Sequence, residues 1–265
     1  MTSAAQDTLP VSSPMATAPE AQPAPVFSVV VPVYNEEGAA ADLVREIDAA
    51  FQSAGEGHPY EIVFVNDASK DGTLASLEAL KPEVPALRVL SHNANAGQSR
   101  AVRTGVLAAR GGIIVTLDGD GQNPPEFAPR LALTLLKAPD SVGMVAGQRQ
   151  KRQDSAAKLI ASRWANNIRK RLLNDGCDDT GCGLKAFRRD VFLRLPYFDH
   201  IHRYLPALVN REGYQVLLEP VGHRARTTGQ SKYTNLGRLW VAFSDLAGVM
   251  WLNRRARNPG GFREL

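Results

Sequence analysis

Apolar residues follow two rhythms along this chain. Short β-branched runs such as Phe27–Val33, Ile62–Val65 and Ile113–Leu117 alternate with longer stretches in which apolar residues recur every three or four positions. The pattern predicts strands at 26–33, 60–66, 86–90, 112–118 and 142–147, with helices at 37–53, 71–80, 97–109 and 125–137 between them. Strands that read as continuous apolar runs are buried on both faces, and a helix-length segment separates each from the next. Both features predict an α/β fold with a mostly parallel sheet flanked by helices. Beyond residue 148 the rhythm changes to a basic helix (154–174), an irregular stretch through Asp175–Gly183, a helix near 204–212, a strand at 215–219 and a basic loop at 222–232.

Three of the predicted strands run straight into polar residues. Phe27–Val33 leads into Tyr34-Asn35-Glu36-Glu37, the second strand into Asn66-Asp67-Ala68-Ser69-Lys70-Asp71, and the fourth into Asp118-Gly119-Asp120-Gly121-Gln122. Open parallel sheets bind ligands at these carboxyl ends. Asp118 and Asp120 offer hard oxygens one residue apart, suited to Mg²⁺ or Mn²⁺ holding a diphosphate. The plain alternative is a polar strand end with an Asp-Gly turn. Neither a G-x-G-x-x-G turn nor a G-x-x-x-x-G-K-[ST] loop is present, so a nucleotide would be held by acidic side chains and a metal.

The length of 265 residues, with 44% hydrophobic and 22% charged, suits one large domain with appendages. Residues 1–25 are rich in Ala, Pro, Ser and Thr without a patterned apolar face, and are expected to be a disordered tail. They lack the basic start and apolar stretch of a signal peptide, which predicts a cytoplasmic protein. Removing the tail's Asp7 and Glu20 from the net +4 leaves +6 on the remainder. The excess clusters at 149–171, where the only acid is Asp154, and at 224–257. Such clusters suit phosphates or an anionic membrane surface; an ordinary solvated face is the alternative. Nucleic acid is not expected, because no recognised module appears and the aromatics are not interleaved with the basic residues. Cys177 and Cys182 read as two reduced thiols.

The last apolar segment, 234–253, carries Trp240, Phe243 and Trp251, is interrupted by Arg238 and Asp245, and is closed by Arg254, Arg255 and Arg257. It is marginal as a span and fits a helix lying in a membrane interface. A core or oligomer-contact helix is the alternative. The expected organisation is a catalytic domain at 26–232, an interfacial helical segment at 233–257 and a flexible end at 258–265.

Taken in order, Pro32-Val33-Tyr34-Asn35-Glu36, Asn66-Asp67-Ala68-Ser69-Lys70-Asp71-Gly72-Thr73, Asn95-Ala96-Gly97, Asp118-Gly119-Asp120-Gly121-Gln122-Asn123-Pro124-Pro125-Glu126, Thr180-Gly181-Cys182-Gly183 and Gly229-Gln230-Ser231-Lys232 resemble the family 2 inverting glycosyltransferases. The similarity is nearest to the polyprenyl-phosphate sugar synthases and covers 26 to about 253. It implies a GT-A fold, a nucleoside-diphosphate sugar donor, a divalent metal (Mg²⁺ or Mn²⁺) and a polyprenyl-phosphate acceptor reached from the cytoplasmic membrane face. Carried over residue by residue, Pro32, Tyr34, Glu36, Asp67 and Asp118 would bind the nucleotide. Asp118, Asp120 and Gln122, read as alternate residues leaving one strand, would form the metal shell. Arg149 would join Asp118 and Asp120 in catalysis. Arg163 matches a basic position near the phosphates and is grouped with Arg226 and Lys232, from the spacing R-x-x-G-x-S-K, as the acceptor-phosphate set. Asn66 stands where the family commonly has aspartate. The stretch Cys182–Phe187 looks nearer the bacterial aminoarabinose and galacturonate enzymes, which favours a uridine donor.

Overall fold

The structure, a computed structural model, describes residues 24–150, 169–224 and 235–257. The expected tail, most of the predicted basic helix, the loop carrying Arg226 and Lys232, and the expected flexible end at 258–265 lie outside the described residues.

Seven strands form one sheet in the order β3-β2-β1-β4-β6-β5-β7. The first half alternates β1 (Phe27–Val33), α1 (Glu37–Ala54), β2 (Tyr60–Asn66), α2 (Thr73–Ala79), β3 (Leu87–Ser91), α3 (Gln98–Ala108) and β4 (Ile113–Thr116). Then come α4 (Ala128–Lys137), β5 (Val142–Arg149), β6 (Lys185–Arg188), α5 (Arg189–Arg194), α6 (Leu205–Arg211), β7 (Gln215–Val221) and α7 (Asn235–Arg255). Strand β6 alone is reversed, pairing antiparallel with both β4 and β5; the other pairings are parallel.

Side chains alternate across a strand, so each sheet face has its own core. Val29 and Val31 of β1 pack with Leu43, Ile47 and Phe51 of α1 and with Leu131 and Leu135 of α4. Val30, between them, faces Ala101, Val102 and Val106 of α3, Phe192 of α5 and Leu208 of α6. The spacing of Ala40, Leu43, Val44, Ile47 and Phe51 gives α1 a continuous buried stripe. Full burial of each large aliphatic or aromatic side chain contributes roughly 1.5–3 kcal/mol.

Two expectations need correction. Strand β4 ends at Thr116, not 118, because its pairing with β1 stops at Val30↔Thr116. The two aspartates therefore stand on a loop and not at alternate positions of a strand. The segment Lys185–Arg194, left unassigned by the pattern, forms β6 and α5.

Candidate active site

The chain runs outward from β1 through β2 to β3, then returns to β1's other side as β4. The carboxyl ends of β1 and β4 flank this reversal, where doubly wound sheets leave a crevice. The loop that follows β4 packs into it. A Cβ on Gly119 would lie 2.6 Å from the Pro32 carbonyl oxygen and from Val33, so only glycine permits that approach. One turn on, the Asp120 carboxylate accepts the Gln122 amide at 3.1 Å, and Gly121 takes φ +71°. Gln122 enters through its backbone, since its carbonyl accepts the Arg224 amide at 3.0 Å.

Asp118 is held from two sides. Gln98 Nε2, at the start of α3, donates to its Oδ1 at 2.8 Å, and Asn123 Nδ2 donates to Oδ2 at 3.0 Å. Gly183, just before β6, lies so close that any Cβ there would overlap the carboxylate. Burial, then the neighbouring Asp120 charge, pushes the Asp118 carboxyl above the usual range; Lys185, the Asn123 hydrogen bond and Arg149 oppose this without reversing it.

The positive charge near this pair is itself organised. Arg149, at the end of β5, donates Nε and Nη2 to the two oxygens of Asp179 at 2.5 and 2.8 Å. That bidentate pair orients the guanidinium and leaves Nη1 for another acceptor. Lys185 is buried at the start of β6, donating to the carbonyls of Cys182 and Thr180. Thr180–Gly183 is thereby tied over Asp118 by an ammonium with no carboxylate in those hydrogen bonds.

This arrangement corrects the reading of the first basic cluster. Asp154 was its only acid in sequence, but in space Arg149 pairs with Asp179, Arg169 with Asp175 and Lys170 with Asp178. Arg224, from the second cluster, reaches Glu46 and Glu126 at 2.6 and 3.2 Å. Several charges counted as phosphate-ready are internal pairs.

On the β1–β2 side, Pro32 is the penultimate residue of β1, and Tyr34 and Glu36 follow the strand. The two strand-end loops interlock: the Asn35 amide donates to Ser69 Oγ at 3.0 Å, the Lys70 amide to Asn35 Oδ1 at 2.8 Å, and the Glu36 amide to Thr73 Oγ1 at 2.9 Å. Asn35 and Ala68 adopt left-handed φ values of 54° and 59° to make the fit. Asp67 is buried, and its carboxylate accepts from His92 Nδ1 (2.7 Å), Asn95 Nδ2 (2.9 Å) and the amides of Ala96 (2.9 Å) and Gly97 (2.7 Å). These contacts fill the acceptor sites of a carboxylate. A contact to a base N–H would be exchanged for one of them.

With the loop geometry established, similarity to known proteins can be placed on it. A sequence profile described as Glycosyl transferase family 2 matches residues 28–195. The chain belongs to that family. As a family 2 glycosyltransferase it also shares its fold with solved enzymes of low identity. Glucosyl-3-phosphoglycerate synthase from Mycobacterium tuberculosis, in complex with Mn²⁺, UDP and phosphoglyceric acid, superposes with a TM-score of 0.62 at 19% identity, covering 89% of this chain and 81% of that one. The mannosyltransferase PcManGT from Pyrobaculum calidifontis, with GDP-Man and Mn²⁺, gives 0.61 at 19% identity, covering 94% and 70%.

The site residues present in this glycosyltransferase fit a divalent ion. Two carboxylates two residues apart, one with its proton affinity raised by burial and then by its neighbour, form a local excess of negative charge that a cation would offset. Among the described residues no cluster of three or more His, Cys, Asp or Glu is suited to a metal. Asp118 and Asp120 would hold such an ion, and Gln122, the third member of the expected shell, follows them on the same loop. Arg163, Arg226 and Lys232 lie outside the described residues. Sequence reasoning gave no individual role to Gln98, Asn123, Asp179, Gly183 or Lys185. Asn123, Gly183 and Lys185 stood inside quoted stretches, but nothing in the sequence marked Gln98.

Proposed function

We propose that this glycosyltransferase moves one sugar, with inversion, from a nucleoside-diphosphate sugar to polyprenyl phosphate at the cytoplasmic membrane face, using Mg²⁺ or Mn²⁺ and a uridine-linked donor. The donor half is supported by the carboxylate pair at the sheet's reversal point. The lipid half is supported chiefly by the outward face of α7. Phe243 and Trp251 there are 60% and 59% exposed, and the Arg255 guanidinium sits 5.9 Å from the Trp251 ring centroid. Val249, on the opposite side, is buried, and Asp245 Oδ2 meets His200 Nδ1 at 3.1 Å, anchoring α7 to the domain. Exposed aromatics beside Arg254 and Arg255 suit an anionic lipid surface. Among the described residues no helix is long and apolar enough to cross a membrane.

In this reading Tyr34 and Glu36 face the nucleoside, and Asp118 and Asp120 would hold the cation. When bound, the metal offsets charge building on the departing nucleotide. Arg149, aimed by Asp179, presents Nη1 to a phosphate oxygen. Arg226 and Lys232 grip the acceptor phosphate, whose ionised oxygen attacks the anomeric carbon as the bond to the diphosphate breaks. An acceptor already ionised at neutral pH needs no strong general base. The test is incubation with a panel of nucleotide sugars, Mn²⁺ or Mg²⁺, and polyprenyl phosphate, with 3-phosphoglycerate as a parallel soluble acceptor. Labelled glycolipid is the expected product. Transfer only to the soluble phosphate would overturn the lipid acceptor while leaving the transferase intact.

A further inference from the structure

Asp67 joins three parts of the domain. Its amide donates to the Val33 carbonyl at 2.9 Å, linking it to the end of β1 beside Tyr34. Three of the four donors to its carboxylate belong to one turn, Asn95, Ala96 and Gly97. Gly97, at φ +86°, opens α3, and the next residue, Gln98, reaches Asp118. The fourth donor comes from elsewhere: His92 stands immediately after β3, its amide bonded to the Asn66 carbonyl at 2.9 Å. Its Nδ1 meets Asp67 Oδ1 at 2.7 Å and its Nε2 meets Thr104 Oγ1 at 2.9 Å.

The chemistry of this chain is constrained. A carboxylate only accepts, so Nδ1 carries a proton toward Asp67; a hydroxyl both donates and accepts, so Thr104 satisfies Nε2 in either protonation state. The ring therefore bridges Asp67 to α3 well beyond its first turn, where the helix is fixed by packing against Val30 and Val65 at Gly105. Without His92, the Asn95–Gly97 turn would still bond to Asp67, but turn and carboxylate could rotate together on the helix end. Held by His92, they cannot, and Gln98 stays directed at Asp118.

We propose that His92 is a positioning residue for the donor: by bracing Asp67 between Thr104 and the 95–97 turn, it presets the surface on which the nucleotide is received. This deepens, and rests on, the reading that a nucleoside diphosphate binds at these strand ends. Thr104 acts through His92 and so belongs to the same device.

The test is calorimetric titration of the full chain with UDP and with GDP in MnCl₂, beside thermal melting. His92→Ala is expected to weaken binding of the preferred nucleotide about ten-fold or more, since it removes a hydrogen bond to a charged group. The near-isosteric Thr104→Val, which keeps the fold, is expected to weaken it about two- to five-fold. His92→Asn, whose amide can still donate to Asp67, should recover most of the affinity. The double variant His92→Ala/Thr104→Val should bind no more weakly than His92→Ala alone, because the hydroxyl has no route to the site except the imidazole. Nucleotide affinity unchanged in both Thr104→Val and His92→Ala, or fully additive losses in the double variant, would overturn the proposal. A wild type that binds neither UDP nor GDP would overturn it together with the donor reading, whereas a wild type that binds while the variants bind equally well removes His92 alone.

Discussion

Two carboxylates, Glu61 buried and Asp118 half-buried, sit at opposite ends of the same sheet, and they are treated in opposite ways. Glu61, at the start of β2, accepts from Ser28 Oγ and the Arg110 amide, each at 2.6 Å, and pairs with Arg88. Burial alone would raise its carboxyl, but those three partners outweigh it and hold the group below its ordinary range. Asp118, beyond the end of β4, has two side-chain amides and a second carboxylate beside it, and is pushed up. Burial is the largest influence on each; at Glu61 the partners outweigh it, whereas at Asp118 a second carboxylate adds to it and the opposing partners fall short. At one end the fold closes its own electrostatic account; at the other it leaves negative charge to be completed by something that arrives.

The widest separation should appear in Asp118→Asn and Asp120→Ala. Either should reduce turnover by about 10²–10³-fold or more. Both should leave the thermal midpoint at or above that of wild type, since each removes a repulsion. A collapse of the midpoint would make Asp118 a structural group like Glu61 and abolish the contrast. Next comes Gly183→Ala, whose methyl must displace the Asp118 carboxylate; turnover is expected to fall about 10²-fold with little change in melting. The converse is Glu61→Gln. Loss of the charge opposite Arg88 should cost about 2 kcal/mol in denaturant unfolding, a figure reduced for Arg88's partial exposure, while turnover per folded molecule stays unchanged.

The smallest effect is in the acid limb of stability. A carboxyl whose folded pKa lies below its ordinary 4.5 contributes stability that is complete above 4.5 and is lost as pH falls through the lower, folded value. Wild-type stability should therefore drop more steeply below pH 4.5 than that of Glu61→Gln. Parallel acid curves for the two proteins would mean that Glu61 gains nothing from its partners.

Much of the scaffold was legible because strands buried on both faces cannot hide. The runs at Phe27–Val33 and Tyr60–Val65 are apolar throughout except where Ser28 and Glu61 satisfy each other. Strand β6 was not legible: its four residues, Lys-Ala-Phe-Arg, begin with a lysine that reads as surface and is in fact buried against the Thr180 and Cys182 carbonyls. The Asp118–Asp120 pair was legible from its chemistry, but its setting was not, because Gln98, Asn123 and Gly183 come from three separate segments. Charge was the poorest guide. Asp175, Asp178 and Asp179 neutralise basic residues that looked unopposed along the chain, and only folding brings them together.

Because β6 alone is reversed, the chain leaves β5 at Arg149 and re-enters the sheet at Lys185 on the same rim. The described part of the excursion between them, Gln150 and residues 169–184, is moored beside the reacting groups and carries Asp179, which aims Arg149, and Gly183, which crowds Asp118. Such a segment is a natural unit of exchange. Recombination between relatives at Arg149 and Lys185 would carry Asp179 and Gly183 along with the rest of the segment, so a lineage could exchange this side of the site as one piece without relearning how to fold.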